Sequence, residues 1–130
     1  MEQVNERSTA YLTVTFKDKT GAAQQPTTAS YRIDDVATGT QIRADTDLTP
    51  GTSVEITLTP VDNAVVSPRL EVEKHVVTIT GTYGEDDAVR AQYVYEVVNL
   101  QAAKWRYALS RLAFGLTGTS TARIRTSRHT

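Results

Sequence analysis

The chain has 130 residues, no cysteine, 39% hydrophobic and 7% aromatic residues, and a formal net charge of −1. Its length suits one domain, the lack of cysteine excludes a disulfide framework and a thiolate metal site, and no apolar run reaches the ~18 residues of a membrane span. The charge is unevenly placed. All fifteen acidic residues lie at or before Glu96, whereas Lys104, Arg106, Arg111, Arg123, Arg125 and Arg128 follow it, so the first hundred residues carry −7 and the last thirty +6.

Residues 1–10 open with the polar run Met1-Glu2-Gln3-Val4-Asn5-Glu6-Arg7, which lacks the apolar stretch of a secretory signal. They read as a flexible lead on a soluble chain made in the cytoplasm. Period-two alternation then dominates. Leu12, Val14 and Phe16 share one face of a first strand, with Tyr11, Thr13, Thr15 and Lys17 on the other. Ala29, Tyr31 and Ile33 form the inward set of a second, opposed by Ser30, Arg32 and Asp34. A short strand around Gln41 to Ala44 follows the turn at Thr38-Gly39-Thr40, and Val54, Ile56 and Leu58 point inward from the next. Pro60 and Pro68 bracket a segment suited to one helical turn that crosses between sheets.

The longest strand is expected from Leu70 to Tyr83. Leu70 and Val72 alternate with Glu71 and Glu73, and Val77 and Ile79 alternate with Thr78 and Thr80. The last, from Val89 to Leu100, has an inward face of Val89, Ala91, Tyr93, Tyr95 and Val97. Its other face includes Val94 and Val98, which suggests cover by the tail or by a neighbouring subunit. Turn signals at Lys19-Thr20-Gly21, Thr49-Pro50-Gly51 and Tyr83-Gly84-Glu85-Asp86-Asp87 punctuate the strands. The class is therefore all-β, an antiparallel sandwich over residues 11–100.

Residues 101–130 change character. Ala102, Trp105, Leu109, Leu112, Ala113 and Leu116 recur at three- and four-residue steps, the spacing of an amphipathic helix that Gly115 and Gly118 would end. From Thr117 the chain is rich in Thr, Ser and Arg and reads as an extended or disordered basic arm.

No catalytic constellation emerges, and no cofactor or metal is expected. His75 and His129 are the only histidines; His75 shares parity with Val77 and Ile79 and reads as a rim residue with ordinary packing. The pairs Asp34-Asp35, Asp45-x-Asp47, Glu71-x-Glu73 and Asp86-Asp87 lack the cleft that paired-carboxylate chemistry needs. The stretch from Asp45 fails as a calcium loop because its glycine and Glu55 fall one position off the required spacing, so its acids read as solvated turn residues. Attention moves to the tail. Trp105, Arg106, Leu109, Arg111, Leu112, Arg123, Arg125 and Arg128 are the candidate partner-binding residues. An acidic protein surface accounts for the arginines better than nucleic acid does, since the acidic domain would repel phosphates; a solvated tail is the plain alternative.

Two sets of strands carry a resemblance. One is Tyr11-Leu12-Thr13-Val14-Thr15-Phe16 with Pro26 to Asp34 and Thr38-Gly39-Thr40. The other is Ser53 to Thr59 with Val76-Val77-Thr78-Ile79 and Tyr93-x-Tyr95-Glu96-Val97-x-Asn99-Leu100. Together, over roughly residues 8 to 100, they resemble the small immunoglobulin-like structural proteins of tailed bacteriophages. The resemblance implies an Ig-like or fibronectin-III-like sandwich and a non-enzymatic role in the virion, among other virion proteins and in a homo-oligomer. It carries over no catalytic residue. The antibody hallmarks are missing, since there is no cysteine pair and Trp105 lies outside the sandwich. A displayed module that binds host-surface glycans is the alternative, with Tyr83 as its one candidate loop aromatic.

Overall fold

In the computed structural model, residues 1–101 are described in full and 119–127 by their backbone. They form eight strands: β1 (Gln3–Asn5), β2 (Thr9–Lys17), β3 (Thr28–Asp35), β4 (Gln41–Leu48), β5 (Ser53–Leu58), β6 (Val72–Thr82), β7 (Ala88–Val98) and β8 (Thr119–Ser127). One sheet has the order β1-β7-β6-β3-β4 and the other β5-β2-β8. The described residues are thus all-β, in a two-sheet, sandwich-like arrangement.

Alternation accounts for the packing. In β2, Ala10, Leu12, Val14 and Phe16 are buried while the residues between them are half-exposed. They join Ile56 and Leu58 of β5 and meet Tyr31, Ile33, Val77, Ile79, Tyr95 and Val97 from the larger sheet in a single core. Each fully buried side chain of this kind contributes roughly 1.5–3 kcal/mol. Strands β6 and β7 form an unbroken antiparallel pair from Val72–Val98 to Thr82–Ala88. Their loop closes with Tyr83 N–H donating to Asp87 O (2.7 Å) and turns through Gly84 at φ 88°.

Several expectations need correction. Residues 3–5 form β1 rather than a loose lead, pairing in parallel with Glu96–Val98 of β7 and burying Val4. The outer edge of β7, including the buried Val98, is therefore met by β1. Strand β4 extends to Leu48, so Asp45 and Asp47 are strand residues, with Asp47 opposite Ser30. In β6 a single parity holds throughout: Glu73 is buried in line with His75, Val77 and Ile79, whereas Val72 is only half-buried. The Pro60–Pro68 segment makes a brief turn, with Asn63 N–H donating to Thr59 O (3.1 Å) and Ala64 N–H to Val61 O (3.3 Å). The helix expected from Ala102 to Leu116 lies outside the described residues. No helix among the described residues is long and apolar enough to cross a membrane.

Gly81 sits inside β6 because a side chain there has no room. A Cβ would lie 2.9 Å from Cε1 of the fully buried Phe16 and 3.4 Å from Pro26 Cβ. Gly81→Ala is expected to lower stability by about 1–3 kcal/mol through overpacking. Denaturant unfolding of the single mutant and of Gly81→Ala/Phe16→Leu checks this, the smaller side chain recovering part of the loss.

Candidate functional site

Polar residues gather at one end of the core, where the inward faces of β3 and β6 run out of apolar side chains. Asp35 closes β3 and lies opposite His75 of β6. Glu73, two residues before His75, shares its face by strand periodicity. All three are buried, with exposures of 1%, 2% and 0% for Asp35, Glu73 and His75.

Glu73 is densely bonded. Its Oε1 accepts from the backbone N–H groups of Val66 (2.9 Å) and Ser67 (3.0 Å), and its Oε2 accepts from Val66 N–H (3.0 Å). Oε2 also lies 2.6 Å from His75 Nε2, so that ring nitrogen donates to it. The imidazole meets Tyr95 edge-on, with ring centroids 5.6 Å apart and planes at 78°. Asn63 fixes the direction of the next bonds. Its Nδ2 donates to Ser8 O (2.7 Å) and Leu58 O (3.4 Å), so its Oδ1 must accept, and it does so from the Tyr95 hydroxyl (2.7 Å). Tyr95 Oη therefore turns a lone pair toward His75 Nδ1 at 3.5 Å.

Asp35 shapes the adjacent hairpin. Its Oδ2 accepts from Thr38 N–H (3.1 Å) and Thr38 Oγ1 (2.6 Å), while Gly39, at φ 72°, donates its N–H to Asp35 O (2.9 Å). The neighbouring Asp34 faces the other way and takes a two-pronged bond from Arg32 at 3.0 and 2.9 Å. Nearby, Asp62 accepts from Arg43 Nε (2.8 Å), from Thr59 N–H (2.9 Å) and from Thr59 Oγ1 (3.0 Å). Burial pushes the Tyr95 phenol far above its ordinary value, and the charges of Asp62 and Glu73 add to this. Burial also raises Tyr31 and Tyr93.

The cluster can hold a proton or a small cation, but it is closed to any larger substrate. Two surface depressions, one over Thr78, Arg90 and Gln92 and one over Thr28, Asp47 and Pro50, are broad and open, and no histidine among the described residues lines either.

His75 is not the rim residue that its place in the strand suggests: the ring has no exposed surface. Alternation from Val72 points Glu73 outward, whereas the residue is buried, and the bonded pair of Tyr95 and Asn63 is a finding of the structure alone. Counting back by twos from Ile79 finds Glu73 and His75, whereas nothing in the sequence marks Asn63. Tyr83 is half-buried and packs against the core. Of the tail residues, Trp105, Arg106, Leu109, Arg111, Leu112 and Arg128 lie outside the described residues. Arg123 and Arg125 fall in β8, whose backbone pairs in parallel with β2 from Thr9–Thr119 to Lys17–Ser127. The register sets Ala122 and Ile124 beside the buried Leu12 and Val14, and Arg123 and Arg125 beside Thr13 and Thr15. No protein-family model matches the chain, and no curated protein matches its sequence.

Tyr95→Phe is expected to cost about 1–3 kcal/mol at neutral pH by leaving Asn63 Oδ1 without its donor. Because the folded-state pKa of Tyr95 lies above the unfolded value, its contribution is complete below about pH 10 and declines as the pH rises beyond it. Urea midpoints from pH 7 to 11 should therefore fall less steeply in the mutant, with Tyr31 and Tyr93 supplying the remaining slope.

Proposed function

We propose that this chain is a non-enzymatic structural component of a tailed-phage virion, in which an immunoglobulin-like sandwich is the scaffold and the C-terminal segment makes the assembly contacts. The observation that carries the reading is β8. After a connection of twenty residues (99–118), the end of the chain returns as a nine-residue strand along β2. Parallel pairing requires such a crossover, and adding a strand to a sheet edge is a general way for one polypeptide to dock on another. A segment that fits an edge of its own sandwich fits the same edge of a second copy equally well.

Strand order supports the immunoglobulin-like part. β4-β3-β6-β7 follows the order of strands C′, C, F and G in a variable-type sandwich, and β2 with β5 follows B and E of the opposing sheet. In this reading β8 lies against the B-strand edge, where strand A runs in the usual fold. Charge supports the assembly part: a tail of +6 suits a neighbour's body of −7. The partners are other virion proteins and further copies of the chain, and the localisation is the virion.

Removing residues 101–130 is expected to abolish incorporation into particles; unchanged incorporation would sink the proposal. In the full-length chain, Ile124→Pro removes an N–H from the middle of β8. It is expected to reduce incorporation while leaving the unfolding transition of the body within about 1 kcal/mol, since β8 adds to an already formed core. Quantitative mass spectrometry of purified particles checks both.

A further inference from the structure

The buried cluster of Asp35, Glu73 and His75 is bonded on two of its members and deficient on the third. Glu73 and His75 have the partners described above, and Asp35 Oδ2 is held by Thr38. Asp35 Oδ1 is buried with no hydrogen-bond partner. A buried carboxylate oxygen without a donor is costly and rare, and its presence calls for a ligand. The same three residues each present one ligand atom, and these atoms all lie within 4.8 Å of one another. We infer that Asp35, Glu73 and His75 form a binding site for one divalent transition-metal cation of the zinc class.

The donor set selects the class. One imidazole with two carboxylates suits zinc and its first-row neighbours, whereas magnesium and calcium favour sites made of oxygen alone. Tetrahedral ligands about 2.0–2.2 Å from zinc stand ~3.4 Å apart. The 2.6 Å contact between His75 and Glu73 must therefore open and the widest separation must close, shifts within the reach of side-chain torsions. Three protein ligands leave a fourth position for water or a carbonyl.

The surroundings are already those of a ligand's outer shell. Val66 and Ser67 N–H groups aim the Glu73 carboxylate. The lone pair of Tyr95 Oη, whose own proton is committed to Asn63, favours a proton on His75 Nδ1 and so frees Nε2 for the cation. On binding, the cation takes the place of the proton between Nε2 and Glu73 Oε2. From a neutral ring that proton moves to Nδ1, facing Tyr95 Oη, and from an imidazolium it leaves for solvent; the bonds formed are to Nε2, to one oxygen of Glu73 and to Asp35. Two carboxylates and a divalent ion then sum to zero charge. Among the described residues, neither basic side chain of the adjoining strands does this: Arg43 is bonded to Asp62 and Lys74 is exposed.

The test uses the full-length chain stripped of metal and titrated with ZnCl2, with MgCl2 and CaCl2 as comparison ions. Expected are one equivalent of zinc retained after desalting, a rise in melting temperature of several degrees, and a changed 15N shift at the His75 ring with His129 unchanged. Asp35→Asn keeps an acceptor for Thr38 but loses the anionic ligand, and it is expected to weaken zinc binding by tenfold or more. Failure to take up zinc, uptake that leaves the His75 signal unmoved, or uptake undiminished in Asp35→Asn overturns the assignment. Should Asp35→Asn not fold, the histidine signals of the unmutated chain decide alone.

Discussion

The carboxylate of Glu73 is the constraint around which this sandwich is arranged. Enclosing an ionised carboxylate costs several kcal/mol unless every oxygen is met by a donor. Here the donors come from the crossing segment between β5 and β6, through Val66 and Ser67, and from His75 on the same strand. That segment carries the chain from one sheet to the other, so satisfying Glu73 fixes how the crossover is made. Asp62 and Asn63 hold its earlier half by bonds to Thr59, Arg43, Ser8 and Tyr95. The sheets are thus joined by apolar packing through the middle and by directional polar bonds at this end.

Directional bonds choose among alternatives that apolar contacts leave nearly equal. A one-residue slip of β6 would turn Glu73 and His75 outward and bring Lys74 and Val76 in. Apolar packing alone would tolerate part of that change, since Val76 replaces an inward residue well. The network would not, because Val66 and Ser67 would lose the Glu73 carboxylate and Tyr95 its edge-on contact with His75 together. A chain rich in interchangeable Val, Ile and Thr gains a unique register from such a cluster.

Most of the strands were legible because one buried face and one wet face impose a period of two. Leu12, Val14 and Phe16, and Val54, Ile56 and Leu58, left little choice. The reading failed where polar residues took inward positions. Glu73 looks out of place in an apolar file, so alternation taken from Val72 turns it outward. His75, though in phase with Val77 and Ile79, reads as a rim residue, whereas β6 keeps one phase along its length. Asp45 and Asp47 likewise resembled turn acids, yet β4 is an edge strand whose exposed positions tolerate charge. Asn63 meets Tyr95, and Asp35 meets His75, only through tertiary folding, across separations that no local pattern encodes. Strand β1 was missed because three residues are too few to show a period.

The parallel pairing of β2 with β8 also has a temporal meaning. Thr9 and Thr119 are partners 110 positions apart in the chain, so closing that contact is entropically among the slowest steps available. During synthesis every other strand emerges before β8 does. Until β8 pairs, one flank of β2 shows a row of bare N–H and C=O groups. In dilute solution the chain's own end fills that flank, and at high protein concentration the end of a second molecule competes for it.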